Sequence, residues 1–239
     1  METTKNRILL LGDIHGNWNV IKSHCKKFEI KNTYIIQVGD FGIGFDKPSN
    51  EENKLGELNK FLRINNNELL AIRGNHDDPK PFRDNLKLSN IEFLPDYTVR
   101  NLCGKNFLFV GGAISVDRSY RIKRGEGWWE DEVFILDEDK ILPMRNINIV
   151  ITHTNPDFIS PLGTGGKGGI VAEYAQYDSK LIMDLIEERN KVSKMYDILS
   201  MNNVIESWWH GHYHYSSTEM FRETKFTLLS IDEFKELNF

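Results

Sequence analysis

The stretch Arg73-Gly74-Asn75-His76-Asp77 places an amide and an imidazole side by side directly after an apolar run, Leu69 to Ile72. The run has the length of a short buried strand, and Gly74 permits a sharp turn at its end. Open α/β sheets bind ligands beyond the carboxyl ends of their strands. Asn75 is therefore a candidate metal ligand and His76 a candidate proton donor. A purely structural polar turn explains this stretch equally well when it is taken alone.

Other apolar runs of strand length end in the same kinds of residue. After Ile8 to Leu11 come Asp13 and His15, which alternation along an extended chain would place on one side. All seven histidines except His24 lie in or beside a loop that follows such a run, as metal ligands would. The candidate metal ligands at these strand ends are Asp13, His15, Asp40, Asn75, His153, His212 and His214.

Two carboxylates, one amide and four imidazoles are too many ligands for one divalent ion, which takes about four to six. They suit two ions that share a carboxylate. A structural zinc site would favour thiolates, and neither Cys25 nor Cys103 lies near a candidate loop. Mixed oxygen and nitrogen ligands indicate a catalytic pair of divalent ions, expected to be manganese, with iron, zinc, nickel or magnesium as alternatives.

Two such ions would supply a nucleophile and bind its target. Ions roughly 3.5–4 Å apart bridge a hydroxide and clamp a phosphoryl group for in-line attack, and metal binding lowers the pKa of water from 15.7 to about 7. The remaining need is a proton for the leaving oxygen, and His76 is the candidate donor.

The elements between these loops follow strand–helix–strand order, which is typical of a mainly parallel sheet. Apolar residues recur at helical spacing in 18–27, 50–64 and a stretch from Ser179 towards Leu199, and a short acidic helix is expected over 131–139. The predicted strands cover 8–11, 34–38, 69–72, 107–110, 147–152, 204–209 and 226–231, the last at a sheet edge.

The stretch Asn155 to Gly169 is predicted to be a long loop because it is rich in proline and glycine. Its second half resembles a phosphate loop superficially. However, Pro161 stands where the Walker pattern has its first glycine, and Gly168 follows Lys167 where Ser or Thr is required. Nucleotide binding is therefore not expected there.

The composition is that of an ordinary globular protein, and without repeats or linkers we interpret residues 1–239 as a single domain. The net charge of −5 provides no broad basic face, so extended nucleic acid is not an expected partner. Two cysteines make no disulfide framework, and no apolar run matches a signal peptide or a membrane span. A cytoplasmic protein without a membrane partner is expected; its oligomeric state stays open.

Together the strand-end blocks resemble the calcineurin-like metallophosphoesterase superfamily. The family pattern is Asp-x-His, Gly-Asp, Gly-Asn-His-Asp/Glu, a lone His and Gly-His-x-His, and all five blocks occur here in that order between residues 12 and 214. The matching blocks are Asp13-Ile14-His15, Gly39-Asp40, Gly74-Asn75-His76-Asp77, His153 and Gly211-His212-Tyr213-His214.

The resemblance implies a dinuclear site in which Asp40 bridges two metals. His76 would protonate the leaving group or steady the phosphoryl oxygens, so the expected catalytic residues are His76, Asn75 and Asp40. The implied fold is of the α/β class, a four-layer αββα sandwich with two mixed β-sheets flanked by helices. The implied ligands are Asp13, His15, Asp40 and His214 for one metal, and Asp40, Asn75, His153 and His212 for the other.

The expected activity is hydrolysis of a P–O ester bond in a phosphomonoester or phosphodiester by a metal-bridging hydroxide. The alternatives are a nuclease, a Ser/Thr protein phosphatase, and a catalytically weak metal-binding or interaction protein that retains the fold. The second block lacks the second Asp and the Arg of Gly-Asp-x-Val-Asp-Arg-Gly, which disfavours a protein phosphatase. It also lacks the carboxylate that usually orients the catalytic histidine, and Asp46 and Asp77 are the candidate replacements.

Several other polar and aromatic residues have two possible roles. The stretch with Arg118, Arg121 and Arg124 either contacts substrate phosphate or is a solvated basic surface. The pair Trp128-Trp129 and the loop 155–169 match no family block, so they are candidates for choosing the substrate. Packing roles are expected for Arg73, His210 and Trp208-Trp209.

Overall fold

The computed structural model describes residues 5–164 and 168–238. Within them the apolar runs form strands of two mixed β-sheets, as the resemblance implied. The strands are β1 (Arg7–Leu11), β2 (Thr33–Gln37), β3 (Glu68–Ala71), β4 (Ile91–Phe93), β5 (Thr98–Leu102), β6 (Lys105–Val110), β7 (Ile149–Thr152), β8 (Ser207–His210), β9 (Ser217–Phe221), β10 (Thr224–Leu228) and β11 (Phe234–Leu237).

The first sheet has the strand order β11-β1-β2-β3-β4, and the second has the order β5-β6-β7-β8-β10-β9. In the first sheet only β11 is antiparallel to its neighbour. In the second sheet the edge strands β5 and β9 are antiparallel to theirs, and the four inner strands are parallel. The candidate ligands follow β1, β2, β3, β7 and β8, which are all members of the parallel sets.

Helices connect the strands and cover the outer faces of the sheets. The long helix predicted from Ser179 continues without a break past Ser193, whose hydroxyl donates to the carbonyl of Arg189 one turn earlier. The helices are α1 (Asn19–Lys27), α2 (Pro48–Ile64), α3 (Pro79–Arg83), α4 (Arg118–Arg124), α5 (Glu138–Ile141), α6 (Gly168–Tyr174) and α7 (Leu181–Ser200).

Alternation along the strands sorts the core into layers. In β1, Leu9 and Leu11 belong to the apolar cluster that α1 and α2 cover. Ile8 and Leu10 belong instead to a cluster shared with β6, β7 and Trp209, between the two sheets. Trp208 points the other way, into the cluster covered by α7. Helix, sheet, sheet and helix therefore stack as four layers, and the tryptophan pair packs on opposite faces of its strand as predicted.

The loop predicted over 155–169 is two residues too long, because α6 begins at Gly168. Two further local predictions are wrong. The strand predicted at the sheet edge is β10, which is interior because β9 pairs along its outer side. The acidic segment is helical only in α5, since the carbonyls of residues 131–133 accept hydrogen bonds from Arg73 instead of forming helical turns. Of the glycine-rich run, residues 165–167 lie outside the described residues, including Lys167.

No helix in the described parts of the chain combines the length and the apolar character that a membrane span needs.

Candidate active site

The loops after β1 and β2 are fastened to each other by backbone hydrogen bonds. The carbonyl of Asp40 accepts from the N–H groups of Ile14 at 3.1 Å and His15 at 2.9 Å, and Phe41 accepts from Gly16 at 3.0 Å. These bonds fix the positions of Asp13, His15 and Asp40 relative to each other before any ligand binds.

The first group of candidate ligands consists of Asp13, His15, Asp40 and His214. One donor atom from each lies within 4.8 Å of the others, which makes the group a possible metal-binding cluster. The Nε2 atoms of His15 and His214 are 3.1 Å apart, and Nε2 of His214 is 3.2 Å from Oδ2 of Asp13. Two carboxylates and two imidazoles in this arrangement fit a divalent ion with mixed oxygen and nitrogen preference.

The second group consists of Asp40, Asn75, His153 and His212, and it converges on the amide oxygen of Asn75. That oxygen lies 2.8 Å from Nδ1 of His212 and 3.1 Å from Nε2 of His153. Nε2 of His153 is also 3.3 Å from Oδ1 of Asp40. The structure thus brings all seven predicted ligands together, with Asp40 in contact with both groups.

The orientation of the second group is set by neighbouring polar groups. Nδ1 of His153 lies 2.8 Å from the carbonyl of Val38, and this hydrogen bond leaves Nε2 directed at the site. Ser115 accepts a hydrogen bond of 3.1 Å from the amide nitrogen of Asn75, which points the amide oxygen at His153 and His212. The sequence reasoning did not single out Ser115, because nothing in the spacing marks it.

Four of the seven residues adopt left-handed backbone conformations that non-glycine residues rarely use. The φ angles are 43° for His15, 57° for Asp40, 74° for His212 and 59° for His214. Such conformations cost on the order of 1–3 kcal/mol each and persist only where the surroundings hold them in place. Four such residues lie in these loops, so the surroundings hold the loop backbone in conformations that direct these side chains toward the site.

Asp40 and His153 lie side by side in the buried site, and each shifts the pKa of the other. Burial alone would raise the pKa of Asp40, but the charge and hydrogen bond of His153 outweigh it and hold this pKa well below its ordinary value. Burial would likewise lower the pKa of His153, yet Asp40 raises it to about 9. Asp40 is therefore a carboxylate in the folded protein, the form in which it can bind a cation.

The donor set passes a test of fit to metal ions. Nε2 of His15 faces Nε2 of His214, and the two other imidazoles face a single amide oxygen. These oxygen and nitrogen atoms all carry lone pairs and converge from separate loops, so a divalent ion among them could accept electron pairs from every donor at once.

The sequence led us to expect that Asp46 or Asp77 orients His76 in place of the carboxylate that the family has there. In the structure neither does, and Arg121 contacts the His76 ring instead. One guanidinium nitrogen of Arg121 lies 2.6 Å from Nε2 and 3.1 Å from Nδ1 of His76, so it lies against the ring. Arg121 is held in turn by Asp117 at 2.9 Å and by the carbonyl of Asn75. Burial lowers the pKa of His76 to about 4, with Arg121 adding to this shift, so the ring is neutral at pH 7.

The two carboxylates proposed to orient His76 have other partners. Asp46 pairs with Lys54 at the surface. Asp77 is fully buried, and its two oxygens accept hydrogen bonds from the backbone N–H groups of Phe41 (3.1 Å), Gly42 (2.6 Å), Ile43 (3.1 Å) and Gly74 (2.8 Å). Asp77 therefore ties the loop after β2 to the loop after β3.

We predict that Asp77→Asn destabilises the protein by about 3 kcal/mol. An amide has only one acceptor oxygen, so two of the four buried N–H groups would face an NH₂ group, and each unsatisfied donor costs about 1–3 kcal/mol. Urea unfolding of the native protein and the variant measures the loss. Asp139→Asn at an exposed position is the control and should change stability by less than about 0.5 kcal/mol. A loss below about 1 kcal/mol for Asp77→Asn would contradict the tying role.

The remaining candidates lie near the site without joining the ligand groups. Arg118 is paired with Asp178 and Asp184, while Arg124 is paired with Glu126. Arg73 packs as predicted, with Asp96 as its ion-pair partner at 2.6 Å. His210 is completely buried beside the ligand-bearing loop. Trp129 contacts the ring of Phe45, which in turn faces His76.

Comparison with solved structures shows similarity over nearly the whole chain at low sequence identity. A Plasmodium protein described as GAP50, the anchor in the inner membrane complex, is 14% identical, with 95% of this chain and 72% of that chain covered and a TM-score of 0.45. A Staphylococcus aureus protein described as a putative 5′-nucleotidase is 14% identical, with 95% and 48% covered and a TM-score of 0.47. The phosphopantetheinyl hydrolase of Mycobacterium tuberculosis is 10% identical, with 96% and 92% covered and a TM-score of 0.45. At these TM-scores no conclusion about this chain rests on the three likenesses.

The sequence comparison is more decisive than the structural one. No curated protein matches the chain significantly. The sequence model of the calcineurin-like phosphoesterase family, in contrast, matches residues 6–216, which include both groups of candidate ligands and His76. The chain therefore belongs to the calcineurin-like phosphoesterase family.

Proposed function

We propose that this protein is a dinuclear-metal phosphoesterase that hydrolyses a P–O ester bond. The observation that carries the proposal is the convergence of seven donor side chains from five strand ends into two groups that share Asp40. None of the ligand positions of the family pattern is missing, which disfavours a non-catalytic descendant of the fold.

The first group would hold one metal and the second group the other, with the carboxylate of Asp40 between them. Oxygen and nitrogen donors without thiolate favour manganese, with iron, zinc, nickel and magnesium as alternatives. When bound, such a pair supplies an activated water and neutralises charge on a phosphoryl group. The expected ligands are Asp13, His15, Asp40 and His214 for the first metal, and Asp40, Asn75, His153 and His212 for the second.

The protein's own groups position the substrate and supply a hydrogen bond. His76 lies at the edge of both ligand groups. Its backbone N–H donates a hydrogen bond of 2.7 Å to Oδ1 of Asp40. Because its ring is neutral at pH 7, its N–H can donate to a phosphoryl or leaving oxygen without carrying a full charge into the buried site. Arg121 and its partner Asp117 hold this ring in place, so we assign them a positioning role.

Reconstitution tests the proposal directly. Purified protein stripped with a chelator and reloaded with Mn²⁺ should contain two metals per chain by elemental analysis and should hydrolyse 4-nitrophenyl phosphate or bis(4-nitrophenyl) phosphate. Fewer than one metal per chain would contradict the dinuclear site. Two metals without turnover of any phosphate ester would support the alternative of a metal-binding protein.

Substrates of different classes separate the remaining enzyme alternatives. Single-stranded DNA tests a nuclease, and a phosphoserine peptide tests a protein phosphatase. The net charge of −5 and the altered second block lead us to expect a small phosphate ester as the substrate instead.

Both cysteines are free thiols, which is compatible with our proposal of a cytoplasmic location.

A further inference from the structure

Two cavities open from the candidate active site, and His76 lines both. The larger has a volume of about 440 Å³ and also contains Asp40, Asn75 and His212, so it begins at the ligand groups. The smaller has a volume of about 320 Å³ and lies on the side of His15 and Trp18. A phosphoryl group held beside His76 would therefore have room for an organic substituent in each of two directions.

The larger cavity is lined in part by apolar residues. Its wall is formed by Ile170, Val171 and Tyr174 of α6, Leu185 of α7 and Tyr215 after β8. Val171 and Leu185 are packed against each other in a small apolar cluster, whereas 47% of Ile170 is exposed. The volume and the lining match a site for a ring-containing organic group.

The charged residues of the larger cavity are already engaged within the protein. Arg189 donates to the carbonyls of Pro156, Ile159 and Gly163, and Glu188 accepts from two backbone N–H groups. Arg121 is occupied by Asp117, two carbonyls and His76. Among the described charged residues that line this cavity, Arg189 still has an unused donor, because its buried Nε makes no hydrogen bond and its other donors meet carbonyls rather than carboxylates.

The smaller cavity has no unpaired lysine or arginine among its described lining residues, and it is more polar than the larger one. Lys54 pairs with Asp46 at 2.7 Å. Glu51 accepts from the N–H groups of Gly44 and Asp46. Because this wall contains two carboxylates, Asp46 and Glu51, and one ammonium group, Lys54, it carries one more negative than positive charge. Trp18 and Phe45 complete the lining. A polar, uncharged substituent suits this surface better than a phosphorylated one.

We infer that the substrate is a phosphodiester and that the larger cavity is a specificity site for its apolar, ring-containing arm. The inference rests on the proposed function and assigns the smaller cavity to the second arm. In the reaction the oxygen of water bonds to phosphorus, and the P–O bond to one arm breaks with its electron pair on the leaving oxygen. One proton of the water goes to that oxygen, giving an alcohol, and the other leaves with the phosphomonoester.

Two diesters with the same leaving group test the cavity. Phenyl 4-nitrophenyl phosphate should show a kcat/KM about tenfold or more above that of methyl 4-nitrophenyl phosphate, after normalisation to their reactivities with hydroxide, because only the phenyl arm fills the apolar wall. Its normalised kcat/KM should also exceed that of 4-nitrophenyl phosphate, which lacks a second arm. A normalised ratio near one, or a preference for the monoester, would overturn the inference.

A matched pair of variants localises the effect. Ile170→Glu should reduce the phenyl-to-methyl ratio to about threefold or less, since a carboxylate would enter the apolar wall. Ile182→Glu on α7, at a residue 41% exposed that lines neither cavity, should leave the ratio unchanged. An unchanged ratio in Ile170→Glu would overturn the assignment of this cavity.

A binding measurement separates failure of this inference from failure of the proposed function. Diphenylphosphinate and dimethylphosphinate carry P–C bonds and cannot be hydrolysed, so calorimetry reports their binding whether or not the protein is an enzyme. Tighter binding of the diphenyl compound by about tenfold, lost in Ile170→Glu, would uphold the cavity even if no ester is turned over. Equal binding of the two compounds would overturn it.

Discussion

Asp40→Asn is expected to reduce phosphoesterase activity by roughly a thousandfold or more and to lower the metal content from two per chain towards one. Asp40 is the carboxylate in contact with both ligand groups, and replacing it with a neutral amide weakens both sites together. The loss of several kcal/mol of charge stabilisation in the transition state corresponds to a rate change of this order. Steady-state kinetics and elemental analysis of the Mn²⁺-loaded variant measure the two effects.

The variant should still fold. Asn tolerates the left-handed backbone of position 40, and its side-chain oxygen can still accept the N–H of His76. Asp84→Asn, at the exposed residue that ends α3, is the matched control and should retain both full activity and two metals. Full activity in Asp40→Asn, with the thermal unfolding temperature unchanged, would sink the bridging role of Asp40.

Gly74→Ala is expected to destabilise the protein by more than about 3 kcal/mol or to displace Asp40 from the site. A Cβ atom at this position would lie well inside van der Waals contact of both the backbone nitrogen and Oδ1 of Asp40. Rotation of the Asp40 side chain cannot relieve a clash with its backbone, so the loops after β2 and β3 would have to separate. Urea unfolding and metal content detect the two possible consequences.

A second glycine provides the control for this substitution. Gly56 lies in α2 with open space where a Cβ would be, so Gly56→Ala should be neutral or stabilising by up to about 1 kcal/mol. If Gly74→Ala matched Gly56→Ala in stability and in metal content, the close approach of the two loops would not constrain the site.

The requirement for glycine at position 74 has a different cause from the one inferred from the sequence. Sequence reasoning assigned Gly74 to a sharp turn, whereas the structure shows that its Cα is covered by Asp40 from the neighbouring strand. Gly211 repeats the arrangement, since a Cβ there would overlap a carboxylate oxygen of Asp13. In both places the glycine makes room for a candidate metal ligand that is distant in the sequence.

The second sheet, the orientation of His76 and the cavities could not be read from local patterns. In the second sheet, β9 has a half-exposed polar alternation without an apolar run, and in the first sheet β11 pairs with β1 across more than 200 residues. Arg121 was one of three arginines with open roles, and its neighbours in sequence do not reveal that it would lie against His76. Each of these features depends on contacts between segments that are far apart in the sequence and meet only in the folded protein.

The sequence by itself determined which residues follow which strands, because an apolar run and the polar residues at its end are adjacent in the sequence. Those residues keep the same chemistry whatever the position of the strand in the sheet. The sequence therefore predicted the seven candidate ligands and His76, and through their resemblance the family and the sandwich. Only the tertiary structure decided that Asp40 touches both ligand groups, that Asp77 ties two loops and that two cavities meet at His76. Those facts depend on distances between side chains from different strands, and such distances are fixed by packing of the two sheets rather than by any single stretch of the chain.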